Sequence, residues 1–306
     1  MGVRQHFIEV SVLLHPEAVE GVSDVLLALG AKGVADEGPP VGAHSSAPAV
    51  VQRKVTAYFP EDGRDSERVA AVEQRLDDLR AAGIEVGVGF AAVRVVEEAE
   101  WGDLWRVHFH ASRIAPNLII VPSWEEYHPR PGEHVITLDP GAAFGTGGHA
   151  TTRLCLRLLA EHVHPGDRVA DIGCGSGVLA IAAARLGASR VIATDSDPTA
   201  LPVAHFNVER NRVTDRVEIL ETDLIPLDRG PFDVAVCNIL APEVIRLAAA
   251  LPALLAPGGR FIGSGFVLPS IPEVKEALTR AGLEVLATPE EGEWAAVIAR
   301  LPEQVT

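Results

Sequence analysis

The sequence predicts an α/β protein: a mainly parallel sheet ending in an antiparallel hairpin, preceded by a smaller α+β domain. Three observations carry that expectation. From Arg168 onward, short apolar runs alternate with helical segments, the signature of a parallel sheet covered on both faces. The tail, Leu283–Thr288 and Glu293–Arg300, reads as two strands joined by a Pro-Glu-Glu-Gly turn with no helix between them. The first ninety or so residues instead hold short alternating runs separated by two helical patterns. A chain of 306 residues has room for two domains, and 47 % apolar residues suffice for a core in each.

In chain order, Ile8, Val10, Val12 and Leu14 alternate as a half-buried strand does. Pro16 then opens a helix with Val19, Val22, Leu26 and Leu29 at helical spacing, closed at Gly30. Asp36–Ala49, rich in Gly, Pro, Ser and Ala, reads as a loop. A strand at Val51–Phe59, a helix marked by Val69, Val72, Leu76 and Leu79, and a strand at Val86–Val96 complete the split βαβ pattern of ferredoxin-like domains over residues 1–95. Residues 96–112 read as a linker helix. Its Trp101, Trp105 and Phe109 share one face, which suits either packing or a ligand platform. Residues 113–306 form the larger domain. Its strands are expected at Arg168–Asp171, Arg190–Thr194, Val217–Leu220, Phe232–Cys237 and Arg260–Ser264. Helices are expected at Gly177–Leu186, Thr199–Asn211, Pro242–Leu255 and Pro272–Ala281.

Charge narrows the function. Asp and Glu outnumber Lys and Arg by 42 to 26, for a net charge of −16, which repels a phosphate backbone and suits a basic partner. Direct nucleic-acid binding is therefore not expected. The three cysteines, Cys155, Cys174 and Cys237, form no Cys-x-x-Cys pair, so neither a thiolate metal site nor a disulfide framework is expected. No apolar run reaches membrane-spanning length and no export signal opens the chain, which points to the cytoplasm and away from a membrane.

The chemistry is expected at the carboxyl edge of the sheet, where ligands of open α/β folds bind. Asp171-Ile172-Gly173-Cys174-Gly175-Ser176-Gly177 ends the first strand of that sheet and opens a helix. A dinucleotide fingerprint would need glycine where Val178 stands, which disfavours a nicotinamide-dependent oxidoreductase. The G-x-G-x-G form after an acidic residue resembles the loop of S-adenosyl-L-methionine-dependent methyltransferases. Asp195, 22 residues beyond Gly173, can accept both hydroxyls of a ribose; its other reading, a helix cap, suits Asp197 better. Thr222-Asp223 lies near an adenine or is a solvated turn. Asn238 closes the fourth strand, where its side-chain oxygen can turn a substrate N–H, and with it the nitrogen lone pair, toward a methyl group. Its other reading is an Asx turn capping the next helix. Ile239, Leu240 and Ala241 follow it with no aromatic to stack on a planar base, so an aliphatic amine fits best. Finally, Asp139–Thr152, with four glycines, Phe144 and His149 before a helix, reads as a loop folded over a ligand. His149 also suits a surface position, and Thr151 or Thr152 a cap.

Taken together, DPGAAFGTGGHATTRLCL, DIGCGSGVLAIAA, ATDSDPTAL, VCNILA and the late EGEW resemble the PrmA family, methyltransferases of large-subunit ribosomal protein L-eleven. The resemblance covers roughly residues 97–300. Ala150 departs from it, standing where many members have proline, and Asp36–Ala49 resembles an insertion. It implies a Rossmann-like methyltransferase domain using S-adenosyl-L-methionine. Thr152, Gly173, Gly175, Asp195 and Asn238 would hold the cofactor, Phe144 and His149 would lie in the covering loop, and Asn238 would also serve catalysis. The N-terminal domain would recognise a basic ribosomal protein, methylated on lysine side chains and its N-terminal amine. Alternatives are an N-methyltransferase acting on RNA or another small amine, and a non-catalytic cofactor-binding module.

Overall fold

The computed structural model describes residues 6–31, 33–37, 52–81, 83–97, 110–138, 149–223 and 225–303. The chain forms two compact units that divide between His110 and Ala111.

The first unit runs β1 (His6–Leu14), α1 (Val19–Ala28), β2 (Gly33–Glu37), β3 (Arg53–Pro60), α2 (Asp65–Ala81) and β4 (Gly89–Glu97). Its strands pair antiparallel in the order β2-β3-β1-β4, so two βαβ halves interleave in the ferredoxin-like manner. The alternation explains the packing. Ile8, Val10, Val12 and Leu14 share one sheet face with Val55, Ala57 and Phe59, against Val22 and Leu26 of α1 and Val72 and Leu76 of α2. Several expected bounds shift. Asp36 and Glu37 are strand, not loop, because they pair with Val55 and Lys54 of β3; the rest of that loop is outside the described residues. β4 starts at Gly89 rather than Val86, whose carbonyl instead accepts from His15 N. Val96 and Glu97 belong to β4 and Ser112 opens β5, while the aromatic helix expected at Trp101, Trp105 and Phe109 lies outside the described residues.

The second unit begins with three four-residue strands, β5 (Ser112–Ala115), β6 (Leu118–Val121) and β7 (His134–Thr137), in a separate small sheet. Then come α3 (Ala150–His162), β8 (Arg168–Ile172), α4 (Val178–Arg185), β9 (Arg190–Asp195), α5 (Ala200–Arg210), β10 (Val217–Glu221) and β11 (Phe232–Asn238). The chain closes with α6 (Ala241–Ala248), α7 (Leu251–Leu254), β12 (Leu255–Val267), α8 (Ile271–Arg280), β13 (Glu284–Ala287), β14 (Glu290–Glu291) and β15 (Trp294–Arg300). The large sheet has the order β10-β9-β8-β11-β12-β15-β13, with β14 paired to β15. β8 to β12 are parallel, and β15 and β13 form the expected antiparallel end. Strand order reverses between β8 and β11, and that switch point opens the crevice at their carboxyl ends. One apolar layer joins α3, α4 and α5 to the sheet, and a second joins α6 and α8.

The single helix expected over Pro242–Leu255 is two. Pro252 has no N–H to continue α6, so a new short helix starts there and Leu255 already belongs to β12. β12 is accordingly longer than Arg260–Ser264. Among the described residues no helix is long and apolar enough to cross a membrane, and no cluster of three or more His, Cys, Asp or Glu could hold a metal.

Candidate active site

The glycine loop is built by the two strands it joins. Gly173 N and Cys174 N both donate to Thr194 O, at 2.8 and 2.9 Å, which turns the chain sharply off β8. Gly173 adopts φ +73°, and a Cβ there would sit 2.7 Å from Ile239 Cγ2. The loop therefore touches the residue that follows Asn238, an approach only glycine allows. Asn207 Nδ2 donates to Ser176 O at 2.9 Å and anchors the far side of the loop.

Asp171, ahead of the glycines, is fully buried. Its Oδ2 accepts from Ala180 N at 2.9 Å, and its Oδ1 has no partner. Burial pushes its carboxyl up to about 7, partly offset by the Ala180 N–H, with the Asp195 charge adding to the rise. A carboxyl that holds its proton more tightly folded than unfolded contributes stability in full below the unfolded value near 4. That contribution is lost as pH rises through about 7. Urea unfolding should therefore show stability falling from pH 4.5 to 8, by up to roughly 4 kcal/mol from this group. Asp171→Asn should flatten that slope. An identical slope in both proteins would contradict the assignment.

Asp195 ends β9 beside the loop. Its Oδ2 accepts from Gly175 N at 2.7 Å and its Oδ1 from Asp197 N at 2.9 Å. Each carboxylate oxygen keeps a further lone pair, enough for two hydroxyls of a ligand. Asp195 caps no helix. Asp197 takes that neighbourhood, accepting from Thr199 N at 2.8 Å and Thr199 Oγ1 at 2.7 Å. Thr222 N donates to Asp195 O at 3.0 Å, so the Thr222-Asp223 turn adjoins the same strand end.

Asn238 ends β11. Its Nδ2 donates to Thr152 Oγ1 at 3.2 Å, and its Oδ1 is buried with no partner. The amide is thus oriented with its acceptor unused. The Asx-turn reading is not what forms: the residue before α6 is Leu240, which makes no side-chain capping bond. The backbone behind Asn238 is fixed by Ile239 N donating to Ser264 O at 3.0 Å. Next to it, Gly265 has φ +97° at a bulge in the β12–β15 ladder, and a Cβ there would fall against the Ile239 carbonyl oxygen and 2.7 Å from Ile239 C and N. Gly265 was not expected from sequence. Gly-Ser-Gly inside an apolar strand was the signal, since such glycines mark bulges and close approach.

The first turn of α3 ties these parts together. His149 is its N-cap residue, accepting from Thr151 N at 3.3 Å with Nδ1 2.7 Å from Thr151 Oγ1; the cap is this ring and not the Thr151 or Thr152 hydroxyl expected. The His149 ring meets Trp294 edge-on, centroids 4.8 Å apart. Arg153 Nε and Arg157 Nη1 donate to the two oxygens of Glu291, at 2.7 and 2.6 Å, which fastens the hairpin turn to the helix. Neither contact with this hairpin was expected from sequence. Phe144 lies outside the described residues. The structure thus brings Gly173, Gly175 and Asp195 into one group, and Thr152 and Asn238 into a second. The Gly173–Ile239 contact joins them, and His149 lies one turn away. Burial raises the thiols of Cys155, Cys174 and Cys237 above the usual range, so none is a ready nucleophile.

The chain matches the family model of ribosomal protein L11 methyltransferase (PrmA) over residues 6–302. It is 41 % identical over 311 residues to a ribosomal protein L11 methyltransferase of Pelotomaculum thermopropionicum, covering 96 % of this chain and 99 % of that protein. With one from Bacillus cytotoxicus it shares 38 % identity over 309 residues, 95 % of this chain and 98 % of that protein. A crystal structure of the ribosomal protein L11 methylase of Lactobacillus delbrueckii subsp. bulgaricus superposes with a TM-score of 0.58 at 35 % identity, covering 64 % of this chain and all of that one.

Proposed function

The chain belongs to the ribosomal protein L11 methyltransferase family, and on that premise we propose that it methylates lysine side-chain and N-terminal amines of ribosomal protein L11 in the cytoplasm. Its cofactor is S-adenosyl-L-methionine, which supplies an electrophilic methyl group on a sulfonium. The residues present fit that group. Asp195 keeps two free acceptor positions for ribose hydroxyls, and Gly173 and Gly175 bring bare backbone to the crevice.

The single observation that carries the reading is the Asn238 amide, oriented by Thr152 and left with an unused buried oxygen. An amine attacks only through its lone pair. Accepting one of its N–H groups fixes the direction of that lone pair, so Asn238 Oδ1 aims a nitrogen in line rather than activating it. A neutral amide suits this task, because a carboxylate would favour the unreactive ammonium. Ile239 and exposed Leu240 suit the methylene stem of a lysine better than a planar base. A net charge of −16 attracts a lysine-rich partner.

The test is labelled S-adenosylmethionine offered with purified L11 or with naked ribosomal RNA. Label is expected in L11, in increments of one methyl by intact mass, and not in RNA. Labelling of RNA with L11 untouched would overturn the proposal.

A further inference from the structure

Trp294 opens β15, and its indole Nε1–H is buried with no hydrogen-bond partner. The ring is held in place. It packs edge-on against His149, and three residues earlier the chain is pinned by Arg153 and Arg157 through Glu291. Leaving a buried donor unpaired costs about 1–3 kcal/mol, so a fixed ring with an orphaned N–H beside the site calls for a ligand acceptor.

Strand order says which side of the site it serves. Asp195 is on β9, the glycine loop follows β8, Asn238 is on β11, and β12 and then β15 come next. With about 4.8 Å between neighbouring strands, Trp294 lies two strands beyond Asn238, on the side away from Asp195. A methyl group moves in line from sulfur to nitrogen, so the amine and the chain that carries it enter opposite the adenosine, on this side. The amine cannot itself be the partner, because a donor aimed at its lone pair would block attack. We propose that Trp294 is an acceptor-side binding residue whose indole N–H donates to a main-chain carbonyl of the polypeptide being methylated. This inference rests on the proposed function and adds that the site recognises backbone as well as an amine.

Calorimetric titration of the S-adenosylhomocysteine-loaded protein with L11 tests it. Trp294→Phe keeps a ring against His149 but removes the N–H. It should weaken L11 binding about five- to tenfold while S-adenosylhomocysteine affinity stays unchanged. Trp294→His, which returns a ring N–H, should recover part of the loss. In the unsubstituted chain, the Trp294 indole proton, assigned by its disappearance in Trp294→His, should move downfield with L11 and not with S-adenosylhomocysteine alone. Equal L11 binding by Trp294→Phe, an equal loss for both ligands, or an unmoved indole proton overturns the inference and leaves the proposed function standing. An unsubstituted chain that binds S-adenosylhomocysteine but not L11 overturns the proposed substrate, and the inference with it.

Discussion

Asn238→Ala should lower kcat for methyl transfer by roughly 10²–10³-fold, the scale of losing one positioned group at a reacting atom. The affinity for S-adenosylhomocysteine should change by less than about threefold, because the loss falls on the transition state and not on ground-state binding. The fold should survive with a modest deficit, since the Thr152 hydroxyl loses its partner in a buried setting. Asn238→Asp sharpens the interpretation. It keeps an oxygen at the same place but adds a charge that holds an amine as ammonium. Its activity should therefore be low at neutral pH and recover only at higher pH than the parent requires. Steady-state rates across pH with L11 as acceptor check both variants. If Asn238→Ala stays within about tenfold of the parent, the aiming role is wrong.

Gly265→Ala should be the most damaging small substitution in the sheet. At φ +97° an alanine carries backbone strain of about 1–3 kcal/mol, and its Cβ also collides with the peptide of Ile239, which cannot give way as a flexible side chain would. Together these should cost at least about 3 kcal/mol in urea unfolding, or abolish soluble expression. Gly282→Ala separates the two causes. It has φ +88° but nothing within 4 Å of the added methyl, so it should show the strain alone, near 1 kcal/mol. Any Gly265→Ala protein that does fold should have a low kcat, because displacing Ile239 moves Asn238. Equal unfolding midpoints for the two variants would remove the reason given for this glycine.

The periodicity that exposes the large sheet is strong, because strands buried on both faces read as unbroken apolar runs between helices. The glycine loop, Asp195 and Asn238 were legible for a related reason: each lies at the end of a strand whose limit could be read locally. β5, β6 and β7 were not legible, since four residues are too few to establish alternation. Contacts that tie the site across sequence were invisible for another reason. Arg153 and Glu291 are 138 positions apart, and His149 meets Trp294 only once α3 and β15 have packed. The capping role of His149 escaped because hydroxyl residues next to it fit the usual preference better. Gly265 carried a readable hint, but its partner, the Ile239 backbone, is set by how β11 and β12 align.

A crystal grown with sinefungin, an analogue with an amino group where the cofactor carries its transferable methyl, addresses the carboxyl-edge crevice most directly. The expected electron density places that amino group within about 3 Å of Asn238 Oδ1, with both ribose hydroxyls on the Asp195 carboxylate. Sinefungin bound away from the glycine loop, or an Asn238 amide turned so that its oxygen meets only protein, would contradict the assignment of the site.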